Sequence, residues 1–229
     1  MTPEKRGKAL ASSVHPPLPT LRLTRFALRY PSRAALRRTA KRMFDLVVAG
    51  LGTLCLAIAL PFIALAIYLD SPGPIFYTQE RVGQGGKPFR LYKFRSMVVD
   101  AEPDGRPRWT AEHDPRITRV GRILRSTHVD EFPQFLNILK GEMSVVGPRP
   151  ERPGFVRLLA RELPHYHLRH AVKPGMAGWG FVNQGYAASR EDARLKLHYD
   201  LYYVHHQSLR LDALILLRTV HRAVTFRGR

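Results

Sequence analysis

The sequence predicts a small α/β domain, mostly helical with one short β-hairpin, anchored by a re-entrant N-terminal membrane helix and by interfacial amphipathic helices. Three observations predict it. Residues 46–69 form a run of 24 without a charge, bracketed by Asp45 and Asp70, and about 20 apolar residues cover the hydrocarbon of a bilayer. Two short segments, 75–79 and 89–94, read as strands on either side of a glycine-rich turn at 83–88. Beyond them, apolar residues return at helical spacing in several separate stretches.

Taken in order, residues 1–40 are rich in Arg and carry Pro16, Pro17, Pro19 and Pro31. They read as a poorly ordered basic tail leading to a helix on a membrane surface, although a transit peptide has a similar composition. Residues 41–70 are the membrane helix. Arg33, Arg37, Arg38, Lys41 and Arg42 precede the apolar run, and Arg81, Lys87, Arg90, Lys93 and Arg95 follow it. The positive-inside rule places both flanks on the cytoplasmic side, which one straight span cannot deliver. Pro61 removes a backbone hydrogen bond within the run. A helix that enters, breaks near Leu60 and Pro61 and returns to the same face satisfies both facts, with Thr53 available to the freed carbonyls. The alternative is a kinked span with a large basic domain on one side.

Residues 71–229 form the remaining domain. Ser71, Pro72, Gly73 and Pro74 force a turn back to water, and the hairpin follows. The cluster Gly83, Gly85 and Gly86 has neither Walker nor Rossmann spacing, so it is read as a hairpin turn. Residues 101–113 are a polar loop and 117–127 a short basic helix. A helix spans about 155–163, residues 172–179 are loop or edge structure, and Ser189 with Asp192 resembles a capping box opening a helix to about 204. The last helix, about 209–224, sets Leu211, Leu214, Ile215, Leu217 and Val220 against Arg210, Arg218 and Arg222. That pattern suits a membrane interface as well as it suits core packing.

Within this frame, Asp130 and Glu131 stand out. Pro133 is tolerated only in a first turn and Asp is a favoured N-cap, while Phe132, Phe135, Leu136 and Leu139 fall at helical spacing up to Gly141. An acidic pair at a helix start stays ionised and can serve as a nucleophile or hold a hard cation. An ordinary cap followed by a solvated first-turn acid gives the same local pattern.

Composition narrows the partners. Lys and Arg number 37 against 18 Asp and Glu, a formal charge of +19, so the chain meets something anionic. Nucleic acid is the weakest choice, because no recognisable binding module accompanies the cations. Anionic membrane lipids fit the apolar run. Cys55 is the single cysteine, which excludes an intrachain disulfide and a Cys-based zinc site and fits a reducing, cytosol-facing location. The groups His165, His167, His170 and His198, His205, His206 read as helix-surface or interfacial residues rather than zinc ligands.

Several motifs together resemble the bacterial sugar transferase family, the monotopic polyprenyl-phosphate phosphoglycosyl transferases. They are Lys41 to Asp45, Asp70 to Phe76, Tyr92 to Met97, Asp114 to Gly121, the Asp130-Glu131 segment, Gly141 to Pro150 and Lys173 to Trp179. The resemblance implies transfer of a sugar 1-phosphate from a UDP-sugar to polyprenyl (undecaprenyl) phosphate, giving polyprenyl diphosphate sugar and UMP at the start of polysaccharide or glycoconjugate synthesis. It implies two steps through an aspartyl phosphosugar, with Asp130 as nucleophile and Mg2+ ligand and Glu131 assisting with protons or the metal. Arg125 and Arg149 match family positions beside the carboxylates, and Lys93 and Arg95 are further phosphate-binding candidates. Pro148 and Pro150 hold Arg149 in a stiff turn, and Arg suits bidentate phosphate contact.

Many members carry a Gly-Arg pair where this chain has Gln184 and Gly185. The likeness is to the small, catalytic-core form, monotopic on the cytoplasmic face of the inner membrane. A homo-oligomer is left open. The competing readings are a metal-dependent glycosyltransferase releasing UDP and a non-catalytic basic membrane adaptor.

Overall fold

The computed structural model describes residues 31–102, 114–184 and 190–224. The expected N-terminal tail up to residue 30, most of the polar loop at 101–113 and the Ser189 cap lie outside the described residues. What is described is a mostly helical domain with a short antiparallel sheet and one long apolar N-terminal helix.

That helix, α1, runs Pro31–Asp70 with Pro61 inside it, and it is long and apolar enough to cross a membrane. It lies along the domain. Ala49, Leu56 and Ile67 are buried, while Val47, Leu51, Leu54, Ile58, Phe62 and Leu65 are exposed. The buried residues are 7 and 11 apart, the spacing of one face of a helix. Both charged ends of the apolar run are held by the same domain. Asp45 accepts from Ser144 Oγ at 2.9 Å and from the Val145 amide at 3.0 Å. Asp70 accepts from the Val120 amide at 2.8 Å. The Thr53 hydroxyl makes no hydrogen bond.

Strands β1, Phe76–Val82, and β2, Pro88–Phe94, pair antiparallel, with Phe76 opposite Phe94 and Val82 opposite Pro88. Gly85 and Gly86 in the connecting turn have φ of 67° and 78°, the left-handed region that glycine enters without steric cost. The basic helix is α2, Arg119–Ser126, started by Thr118, whose side chain accepts from the Gly121 amide. Helix α3, Gln134–Lys140, follows the acidic pair and ends at Gly141 in the left-handed region. The ring of Phe135 sits where a Cβ on Gly52 would be, so α3 and α1 come together at a glycine. Val129 and Phe132, on either side of the acids, pack into the cluster formed by Leu56, Ile67, Phe94 and Leu124.

A second sheet escaped the sequence reading. Strand β3, Ser144–Val146, pairs parallel with β4, Gly175–Ala177, inside the segment expected to be loop or edge. A Cβ on Gly147 or on Gly175 would overlap the backbone of the other segment. Helices α4, Pro153–Glu162, α6, Arg190–His206, and α7, Leu209–Val224, fall close to the expected stretches, and a short α5, Trp179–Gln184, was not foreseen. Helix α7 buries Ile215 and Asp212 while exposing Leu214, Leu217 and Val220.

Candidate active site

The acidic pair does not cap a helix. Val129–Glu131 form a 3-10 turn, and Pro133 rather than Asp130 occupies the N-cap of α3, with no side-chain cap bond. His128, with φ 59°, reverses the chain between α2 and this turn. A left-handed non-glycine residue is strained, and the neighbouring structure has to hold it. The His128 ring is edge-on to Phe181, with centroids 5.7 Å apart, and burial pulls its pKa below the ordinary histidine value. The reversal turns both acids inward: Asp130 and Glu131 are each only 6 % exposed.

Two cations meet them. Lys93 Nζ donates to Glu131 Oε1 at 2.7 Å and stands 3.7 Å from Asp130 Oδ2. Arg149 donates through both Nη atoms to the Glu131 carboxylate, Nη1 reaching Oε2 at 3.1 Å and Nη2 bonding Oε1. This fork is the geometry of a strong charge-assisted pair. Burial alone would raise the pKa of Glu131, but the charges and hydrogen bonds of Arg149 and Lys93 hold it well below the usual carboxylate range. Asp130 goes the other way. Burial pushes it up and the Glu131 charge adds to that, outweighing Lys93, Arg125 and Arg149. Two acids side by side therefore shift in opposite directions: Glu131 is held ionised by its ion pairs, while Asp130 lies above the ordinary aspartate value.

The supports are specific. Asn137 on α3, fully buried, accepts from the Tyr92 amide at 3.1 Å and donates to the Arg90 carbonyl at 2.7 Å. It thus fixes the strand carrying Lys93 against the helix that follows Glu131. The Arg149 turn is tied at successive carbonyls. Pro148 accepts from the Gly175 amide at 3.0 Å, Arg149 from Arg169 Nη2 at 2.9 Å and Pro150 from Arg81 Nη1 at 3.0 Å. Arg169 is itself locked to Asp200, both 2 % exposed, through Nε at 3.0 Å and Nη2 at 2.6 Å.

Of the residues expected at the site, Asp130, Glu131, Lys93 and Arg149 come together, and the charge of Arg125 reaches Asp130. Arg95 does not join them. Its guanidinium donates to the carbonyls of Ser71 and Pro72 just past the end of α1. The two-residue repeat of a strand puts Lys93 and Arg95 on one face, but that end of β2 meets the exit of α1, whose carbonyls capture the second side chain. Sequence reasoning missed Asn137, Arg169 and Arg81. They sit in generic helical or strand patterns, and only long-range packing gives them a partner.

Asp130 suits a shared magnesium ion. Mg2+ takes one or two carboxylates and fills its remaining positions with water and substrate phosphate oxygens, and the Glu131 oxygens are already committed to Lys93 and Arg149. Among the described residues no group of three or more His, Cys, Asp or Glu could hold a metal without substrate, the two histidine groups included.

Buried acids under cationic cover, beside a helix of membrane length, are chemically suited to phosphate-bearing substrates at a lipid boundary. Residues 36–226 match the bacterial sugar transferase family, and the chain belongs to that family. It is similar to the UDP-N-acetylgalactosamine-undecaprenyl-phosphate N-acetylgalactosaminephosphotransferase of Aeromonas hydrophila, 43 % identical over 80 % of this chain and 45 % of the relative. The UDP-glucose:undecaprenyl-phosphate glucose-1-phosphate transferase of Escherichia coli K12 is 40 % identical over 82 % of this chain and 41 % of its own length. The exopolysaccharide production protein PSS of Rhizobium leguminosarum is 45 % identical over 81 % of this chain and 95 % of its length. The chain thus spans less than half the length of the first two.

Proposed function

We propose that this protein transfers a sugar 1-phosphate from a UDP-sugar to polyprenyl phosphate, releasing UMP, as the first step in building a polysaccharide or glycoconjugate. The observation that carries it is the split acid pair, with Glu131 locked to Lys93 and Arg149 while Asp130 beside it has no such lock. The names of the relatives, which specify undecaprenyl-phosphate acceptors and UDP-linked donors, support the same reading.

In the proposed reaction an oxygen of Asp130 attacks the sugar-bearing phosphorus of the donor, and the phosphoanhydride bond breaks with its electron pair leaving on UMP. A phosphate oxygen of the lipid then attacks the aspartyl phosphosugar and returns Asp130 as a carboxylate. Glu131 keeps Lys93 and Arg149 aimed at the phosphates, and Arg125 adds positive charge on the Asp130 side. A magnesium ion held by Asp130 would neutralise diphosphate charge. Lys93 and Arg149 need not leave Glu131 to meet the phosphates, because an ammonium has three donors and a guanidinium five, more than Glu131 takes up.

We place the chain on the cytoplasmic face of the inner membrane, with α1 dipping into the lipid and returning. Support comes from the attachment of Asp45 and Asp70 to one domain and from the bend that Pro61 favours. The deciding experiment offers a panel of UDP-sugars to detergent-solubilised protein with polyprenyl phosphate. Release of UMP with one donor is expected. Release of UDP would assign glycosyl transfer instead. Release of neither, with vesicle binding unchanged after neutralising both acids, would leave a basic adaptor.

A further inference from the structure

Beside the Glu131 ion pairs, a narrow cleft is lined by Arg81, Leu91, Lys93, Gln134, Arg149 and Pro150. Three of these six residues are cationic and none is acidic. Gln134 is 2 % exposed, yet its Nε2 has no hydrogen-bond partner, and Arg81 Nε is also buried without one. A buried donor left unpaired is costly and rare in a native fold, and here two occur at one cationic cleft. Burial, then repulsion from Arg149 and Arg152, lowers the Arg81 guanidinium to about 10 despite the pull of Glu151. An arginine in that position remains charged, so the direction reports chiefly a guanidinium taken out of water. Gln134 is fixed by its position in the first turn of α3, three residues past Glu131.

We infer that this cleft is the subsite for the phosphate of the departing UMP, with Gln134 Nε2 and Arg81 Nε donating to its oxygens. The inference rests on the transfer proposed above and adds to it a place for the leaving group. A nucleotide phosphate is the occupant rather than the phosphate of the lipid acceptor because no residue of α1 lines the cleft. The residues flanking the acids that do meet α1 are Val129 and Phe132, which pack with Leu56 and Ile67. As the phosphoanhydride bond breaks, charge builds on the α-phosphate. Once the cleft opens to admit the phosphate, donors aimed at the oxygens where that charge develops favour the transition state.

The test measures binding of UMP and of uridine to the full chain in detergent, with EDTA present so that only the protein's own cations act. UMP is expected to bind at least about tenfold more tightly than uridine, since the phosphate supplies the contacts. Gln134→Leu keeps the shape and removes the donor, and about a tenfold loss of UMP affinity is expected. Its melting midpoint should be equal or higher, because an unsatisfied amide is gone. Gln134→Glu places a negative charge in the cleft and should lose more. Unchanged UMP affinity in both variants, or equal affinity for UMP and uridine, would overturn the inference. So would a lowered melting midpoint in Gln134→Leu, which would make Gln134 a packing residue. A soluble short-chain prenyl phosphate whose affinity falls in Gln134→Leu while that of UMP does not would assign the cleft to the acceptor. Failure of the transfer reading is separately visible, as UMP binding by wild-type protein that releases no UMP from any UDP-sugar.

Discussion

Among the described residues two acidic pairs are buried, and they are built on different plans. Asp45 and Asp212 face Lys41, at 3.2 and 3.0 Å. Around them neutral donors close the set: Ser144 Oγ and the Val145 amide on Asp45, and Tyr203 on Asp212 at 2.7 Å. That network joins α1, β3, α6 and α7, and it reads as architecture. At Asp130 and Glu131 the close partners are cations, Glu131 takes the hydrogen bonds, and Asp130 has the Lys93 ammonium at 3.7 Å together with the charge of Arg125. A pair closed by one lysine with backbone and hydroxyl donors holds a fold together. A pair met by two long cationic side chains can share those cations with a phosphate.

The comparison breaks first at Asp130. Asp130→Asn should reduce UMP release by about 10^4-fold or more, the scale of losing a nucleophile, with no loss of stability. Near-normal turnover would remove the distinction between the two pairs. Next, Arg149→Lys keeps the charge and loses the fork, and a fall of about 100-fold in kcat/KM is expected from the loss of one aimed donor pair. An effect as small as that of a surface Arg would show that the Glu131 lock is only structural. Third, Asp45→Ala should lower stability by roughly 3 kcal/mol, since it strips a buried network of its acceptor. Each kcal/mol moves the melting midpoint of a domain this size by about 2–4 °C. The protein that remains folded should retain its chemistry.

The smallest effect is in pH. The folded pKa of Asp130 is raised, so the native state binds more protons than the unfolded one between the ordinary value and the raised one, and stability falls as pH rises through that window. Glu131 has the opposite sign: its folded pKa is lowered, so its contribution is present above the ordinary value of 4.5 and is lost as pH falls through the depressed one. Asp130→Asn should therefore melt higher than wild type at neutral pH, with the gap closing as pH drops through the raised value to the ordinary aspartate value of 3.8. A gap that widens on acidification would reverse the assignment of the two acids.

How much of this was legible in the sequence follows the range of the forces involved. The hairpin, α4, α6 and α7 rest on local periodicity and punctuation by glycine and proline, and they came out close to their expected places. The acidic pair and the Arg149 turn were marked by prolines. Their surroundings were not: β3 meets β4 across some thirty intervening residues, and Arg169 finds Asp200 only after α6 has packed. Asp130 was expected at a helix start because Pro133 resembles a first-turn proline. Pro133 indeed precedes α3, but the left-handed His128 inserts a 3-10 turn and moves both acids inside. Arg95 shares a strand face with Lys93, yet a carbonyl pair two elements away decides where it goes.

The seat of the Phe135 ring on Gly52 has a mechanical consequence. With α3 clamped to α1 at that point, and α1 pinned at Asp45 and Asp70, the Asp130 carboxylate keeps a set height relative to the apolar face of α1. In the proposed reaction no flexible tether is then needed to bring a water-borne sugar nucleotide and a lipid-borne phosphate to one level. On that proposal the protein acts as a gauge block resting on the bilayer, and a bulkier side chain at position 52 would tilt it.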